Sequence, residues 1–198
     1  MARVPFVGLT GGPGAGKSTA LAALERLGAA TLSTDAVVHE LYESPDLRDA
    51  VLARWGEDVA PDGVVDRGAV AARIFAVERE REWLEGQLWP RVRARVADWR
   101  QEVTAREPPP AAAVVEVPLL FEARMEGVYD ATVAVTADEQ MRAARAAERG
   151  HVGAGERAAR QLPQEEKARR ATFTVDNTGT VQELERQLST VLDRLRSS

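Results

Sequence analysis

No cysteine occurs in the 198 residues, so neither a disulfide framework nor a thiolate metal site is available. Histidine is almost as scarce. His39 and His151 stand far apart without a carboxylate pattern around either, which argues against a histidine metal centre. No apolar run approaches the roughly 20 residues that cross a bilayer. The apolar stretch at residues 4–9 is also too short for a signal peptide, which makes the cytoplasm the expected compartment. Excess positive charge is missing too: the net charge is −5, where a general nucleic-acid binder carries a basic face. Lysine is rare, with Lys17 and Lys167 alone among 26 basic residues. What remains is a globular composition, 44% apolar and 29% charged, long enough for one packed core and a smaller lobe.

Against that background one stretch stands out. Residues 8–19 read Gly-Leu-Thr-Gly-Gly-Pro-Gly-Ala-Gly-Lys-Ser-Thr and contain G-x-x-x-x-G-K-S from Gly11 to Ser18, a Walker A phosphate loop. The bare pattern arises by chance in roughly 1% of chains this long, so its context has to carry weight. Val4, Phe6, Val7 and Leu9 read as a buried strand leading in, and Ala20 to Leu27 as the helix leading out. Glycines allow successive N–H groups to face an anion, and the helix beginning near Lys17 adds the positive end of its dipole. Lys17 is placed to reach the β- and γ-phosphates, and the Ser18 hydroxyl to take a position on Mg²⁺. The stretch predicts a nucleoside triphosphate site.

Downstream, residues 29–32 read as a second strand, and Asp35 follows at its carboxyl end, where open α/β sheets bind ligands. A helix N-cap is an equally good reading of that aspartate. Ser44-Pro45-Asp46 opens a helix that runs to about Trp55, Asp66 to Phe75 is helical, and residues 79–106 carry a helical apolar stripe that Pro90 should kink or split. Trp83, Trp89 and Trp99 read as packing residues. After Pro108-Pro109-Pro110 come a third strand at 111–117, a short helix opened by Pro118, and a fourth strand at 131–135. Glu116, ending the third strand, suits either a carboxylate behind Mg²⁺ or a polar partner for the neighbouring loop. Thr136 and Glu139 form the pattern of a capping box. Residues 140–170 hold eight basic residues against four acidic ones, and Arg145 and Arg149 share a helix face. That pair suits a phosphate clamp, with a solvated surface as the plainer alternative. A last strand at 173–175, a turn at 176–179 and a helix capped by Thr180 and Glu183 close the chain.

Taken together, these motifs resemble the dephospho-CoA kinase family. The likeness rests on the phosphate loop, Asp35-Ala36, Asp62-Gly63 with Arg67, Arg73-Ile74-Phe75, Val117-Pro118-Leu119-Leu120-Phe121-Glu122, Arg145 with Arg149, Arg160-Gln161-Leu162-Pro163, Glu166-Lys167 and Asp176-Asn177-Thr178-Gly179. Two positions depart from it: Ser33 stands where the family usually has an aspartate, and Trp89 precedes Pro90 where it usually has histidine.

The resemblance implies ATP-dependent phosphorylation of the ribose 3′-hydroxyl of dephospho-CoA, giving CoA and ADP. It implies an α/β P-loop three-layer sandwich with a parallel five-stranded sheet, a helical insertion and a helical lid. Residues 1–44, 108–136 and 171–198 would form the nucleotide-binding core, 45–107 the acceptor lobe and 137–170 the lid. Asp35, Lys17, Arg145 and Arg149 would be catalytic. Gly12, Gly14, Ala15, Gly16, Lys17, Ser18, Thr19 and Asn177 would hold ATP, with Mg²⁺ on Ser18. Thr10, Asp35, Arg67, Pro118, Leu119 and Leu120 would hold the acceptor. The expected partners are the two small-molecule substrates, with no nucleic acid or membrane, in a monomer or weak homo-oligomer. A different acceptor, such as a nucleoside monophosphate or small alcohol, keeps the same phosphate loop. A nucleotide-driven switch or motor is disfavoured, since no N-K-x-D guanine motif occurs.

Overall fold

Five short strands, nearly continuous runs of small and β-branched residues, pair in parallel in the order β2-β3-β1-β4-β5. They are β1 (Phe6–Gly11), β2 (Ala30–Ser33), β3 (Ala113–Glu116), β4 (Ala131–Thr136) and β5 (Phe173–Asp176). The computed structural model describes residues 3–61, 63–149 and 160–197. Strands buried on both faces show no alternation of apolar and polar residues, and β1 and β3 are buried along their whole length. β1 is the central strand. Its register sets Leu9 beside Glu116 of β3 and Val133 of β4.

The chain divides into two compact units, residues 1–33 with 99–198, and residues 34–98. In the first, α1 (Lys17–Arg26) and the last helix, α8 (Val181–Arg196), cover one sheet face. Ala20, Ala23, Leu24, Leu184, Leu188 and Leu192 pack there on Val7, Leu9, Val133 and Val135. Alternate residues of β1 point to the other face, where Phe6 meets Tyr129 at 4.8 Å between ring centroids and the Arg100 guanidinium at 4.2 Å. Both layers against one sheet make the three-layer sandwich that the resemblance implies.

The second unit holds α2 (Thr34–Glu43), α3 (Pro45–Trp55), α4 (Arg67–Ala76) and the first part of α5 (Glu78–Thr104). Leu47, Val51, Val59, Val70, Leu84 and Leu88 form its core, with Trp83 packed edge-on to Trp55. Residues 45–98 are common to this unit and the expected acceptor lobe; α2 falls with the helices.

Four local expectations need correction or narrowing. α5 is not split into two helices at Pro90, one of the two outcomes expected there. Pro90 and Gly86, whose carbonyl loses its donor, are both exposed, so that carbonyl is open to solvent. Trp89 is 41% exposed and does not pack as Trp83 and Trp99 do. The chain after Pro118 winds through hydrogen-bonded turns, including Ala123 N–H to Leu119 O at 3.0 Å, and forms no regular helix. Finally, Thr136 ends β4 and donates to Val175 O, while Asp138 accepts from the Gln140 N–H at the start of α6 (Glu139–Arg149).

Candidate active site

The phosphate loop leaves the carboxyl end of β1 at Gly11 and enters α1 at Lys17. Ala15 N–H bonds back to Gly12 O at 3.2 Å, closing a tight turn. Gly14 and Gly16 take φ values of 72° and 87°, in the left-handed region where only glycine is unstrained. A Cβ on Gly16 would stand 1.9 Å from Asn177 Nδ2, and one on Gly14 would stand 2.2 Å from the Arg142 carbonyl. Sterics and dihedrals therefore demand glycine at both positions. Gly16 is also the N-cap of α1, with no side chain accepting from the first turn and no acid within it. The N–H groups of that turn and the helix dipole are left for an anion. Lys17 Nζ curls over the loop and donates to Gly11 O at 3.1 Å and Gly12 O at 3.3 Å. Ser18 is exposed in the first turn and Thr19 half-buried behind it.

Behind the loop stands Asn177, buried in the turn after β5. Its Nδ2 donates to Ala15 O at 2.9 Å and its backbone N–H to Thr136 O at 2.8 Å. Arg145 Nη1 reaches the Asn177 carbonyl at 3.4 Å. So Asn177 acts as a brace under the loop, and Arg145 is tied to that brace from α6. Arg142, one turn earlier, sets its guanidinium carbon 3.8 Å from the point where a Gly12 Cβ would be, and its Nε is buried without a partner. Arg149 ends α6, and its side chain lies outside the described residues, as do Asp62, His151 and Arg157.

Four residues expected on the acceptor lie inside the first unit. Thr10 and Leu120 are fully buried, Pro118 is buried and Leu119 is half-buried. The Thr10 hydroxyl donates to Pro118 O at 3.4 Å. The same carbonyl accepts from Lys167 Nζ at 2.6 Å. Lys167 lies on α7 (Gln164–Arg170), wholly buried, with Glu122 Oε1 at 3.1 Å and Gln161 Oε1 at 3.5 Å. Burial pushes its pKa down, opposed by the hydrogen bond and charge of Glu122. Glu122 also accepts the Leu162 N–H at 2.7 Å. Residues 117–122 and Glu166-Lys167 thus meet in one ion pair, with Leu162 of residues 160–163 bonded to the same carboxylate. Lys167 is a residue that pattern reading left without a role; its scarcity in an arginine-rich chain was the available signal, since a compact ammonium fits where a guanidinium does not.

In the second unit, Asp35 is exposed in the first turn of α2, a position inside the helix and past its N-cap. A carboxylate there is favoured by the dipole. His39 lies one turn on, on the same face. Its Nδ1 is 2.6 Å from Arg67 Nη1, and its Nε2 is 3.8 Å from Glu43 Oε1. Arg67 begins α4 just after Asp66, whose carboxylate accepts from Gly68 N–H at 2.8 Å and Ala69 N–H at 3.3 Å. Glu116 is buried at the end of β3, in register between Leu9 and Ser33.

Among the described residues no group of three or more His, Cys, Asp or Glu could hold a metal ion, and no helix is long and apolar enough to cross a membrane. A lone Ser18 hydroxyl suits Mg²⁺ that arrives with a polyphosphate, because that ion keeps its waters and takes most ligands from the phosphates.

Comparison with known proteins shows the family. A family model described as dephospho-CoA kinase matches residues 5–183. A dephospho-CoA kinase of Thermosynechococcus vestitus is 36% identical over 194 residues, spanning 95% of this chain and 93% of its own. One of Deinococcus radiodurans is 38% identical over 195 residues, spanning 96% and 91%. Among solved structures, TT1252 from Thermus thermophilus superposes with a TM-score of 0.81 at 33% identity, covering 98% of this chain and 99% of its own. A dephospho-CoA kinase from Campylobacter jejuni shares the fold at a TM-score of 0.65 and 20% identity, with 98% of each chain covered.

Proposed function

The chain belongs to the dephospho-CoA kinase family, and from that premise we propose how its residues divide the transfer of a phosphoryl group from ATP to the ribose 3′-hydroxyl of dephospho-CoA. The observation that carries the proposal is the phosphate loop, already wound around left-handed Gly14 and Gly16 with the first turn of α1 uncapped. Its N–H groups from Gly12 to Thr19 cradle the β- and γ-phosphates. Lys17 trades its two carbonyl partners for phosphate oxygens and follows the charge that develops during transfer. Arg145 and Arg149 neutralise the same oxygens from the lid, residues 137–170. Ser18 would hold Mg²⁺ arriving with the polyphosphate, and the ion would supply further charge neutralisation.

Asp35 orients the incoming hydroxyl and accepts its proton, and Arg67 binds the anionic part of the acceptor on residues 34–98. Phosphoryl transfer asks little covalent chemistry of a protein, so alignment and charge carry most of the rate. Thr10, Pro118 and Leu120 serve the acceptor indirectly, by fixing the chain between β3 and the turn after it.

An ADP-release assay tests the assignment. Stoichiometric ADP and CoA from ATP and dephospho-CoA are expected. Equal turnover with nucleoside monophosphates or small alcohols would move the acceptor elsewhere, and ADP release without any acceptor would make the protein an ATPase.

A further inference from the structure

We propose that His39 is a positioning residue for Arg67, and that its protonation releases Arg67 and weakens acceptor binding as pH falls. The inference rests on the assignment of Arg67 to the acceptor. Arginine only donates, so a contact of 2.6 Å between Arg67 Nη1 and His39 Nδ1 requires an unprotonated Nδ1 with its lone pair toward the guanidinium. The ring's proton then sits on Nε2, on the side of Glu43 Oε1 at 3.8 Å. Among the described residues, Arg67 from α4 and Glu43 from its own helix flank the ring, and Asp35 stands one turn earlier on α2.

Histidine gains its proton between about pH 8 and pH 5. On doing so Nδ1 loses the lone pair that Arg67 uses, and two cations are left in contact. Glu43 holds the imidazolium on α2, so Arg67 is the group that leaves. The neutral ring, by contrast, fixes the long arginine side chain at one end of α4. That lowers the entropy lost when an anionic acceptor binds. His39 touches no reacting atom in this scheme. It acts through Arg67, so KM for the acceptor should change and kcat should not.

The test uses the intact enzyme. Dephospho-CoA carries only a pyrophosphate diester, which has no proton to lose near neutrality, so its Kd by calorimetry and its KM report the protein's titration. For the parent, both are expected to rise about tenfold from about pH 8 to pH 5.5, with kcat at saturation and ATP affinity changing far less. His39→Ala is expected to show the weak, low-pH value throughout. His39→Asn places a non-titrating acceptor near the Nδ1 position, so it should restore most of the affinity and flatten the profile. A parent profile that is flat or that tightens at low pH overturns the inference, as does a His39→Asn profile that still follows the parent's. Arg67→Ala separates the two layers. If it weakens the acceptor while both His39 variants behave as the parent, the inference alone falls. If it leaves the acceptor unaffected, the assignment of Arg67 falls and the inference with it.

Discussion

The phosphate loop and the helical unit recognise their proposed ligands by opposite means. At the loop the recognising groups are backbone amides, and their placement is enforced by packing: two left-handed glycines, a buried Asn177 beneath and Val135, Leu9 and Ala20 around them. On residues 34–98 the proposed recognising groups are Asp35 and Arg67, with His39 against Arg67, all exposed side chains on two helices. Apolar surface is also left open there, at Val64, Phe75, Val77 and Trp89. A backbone site is rigid because moving it means repacking a core. A side-chain site on helix surfaces is held by a few hydrogen bonds and ion pairs, which respond to pH and salt.

If that contrast holds, chemistry should fail at the exposed site without loss of structure. Asp35→Asn is expected to lower kcat by about 10²–10⁴, the usual worth of a positioned base, while ATP binding and thermal midpoint stay near the parent's. Lys17→Ala, by comparison, should impair ATP binding and kcat together. Parental turnover in Asp35→Asn would end its role as base.

The buried side should show the reverse, structural loss first. Lys167→Met removes one member of an ion pair whose lysine is wholly buried, and it leaves Glu122 without its cation. Such a break costs about 3–5 kcal/mol of unfolding free energy, read by denaturant titration. Adding Glu122→Leu should return much of that loss. If the single variant is as stable as the parent, the pair is not what holds Pro118 in place.

Gly16→Ala comes next. It places a Cβ at φ 87° and 1.9 Å from Asn177 Nδ2. The strain amounts to about 1–3 kcal/mol, and the loop must deform, so KM for ATP is expected to rise with little change in KM for dephospho-CoA. An equal change in both would mean that the loop and the helical unit are not separable in this way.

The same contrast explains what could be read from the amino-acid order. A backbone site needs glycines at fixed offsets, and Gly11 to Ser18 display them within eight consecutive residues. Local devices were legible for the same reason: Thr180 and Glu183 form the reciprocal cap expected of them, with bonds of 3.2 and 2.7 Å. Contacts between distant residues were not. His39 and Arg67 are separated by 28 positions, and Lys167 and Pro118 by 49, with nothing in the intervening sequence to mark them. Nor did motif membership separate contact from support. Asn177, Pro118 and Thr10 belong to motifs of the family, yet they brace the loop and the chain after β3 from inside the core. Of the kink or split expected at Pro90, the split did not occur, and solvent exposure, which a periodic pattern does not give, bears on how much a lost backbone bond matters.

The smallest effect is expected at Glu80, within the helical unit. Its carboxylate is held down to about 2 from its ordinary 4.5, first by the hydrogen bond from Arg54 and then by the Trp55 indole. The contacts are 2.8 and 2.9 Å to Arg54 and 2.8 Å to Trp55 Nε1. They join the end of α3 to the start of α5. In the unfolded chain this carboxyl takes up a proton near 4.5, whereas in the folded unit it remains ionised until about 2. Its stabilisation is therefore complete above the first value and is lost as pH falls through the second. Glu80→Gln cannot titrate, so its thermal midpoint should lie slightly below the parent's at neutral pH and converge on it in acid. Added salt should narrow the neutral-pH gap, because the pair is near the surface. Parallel curves across that range would show that this ion pair carries no titratable stability.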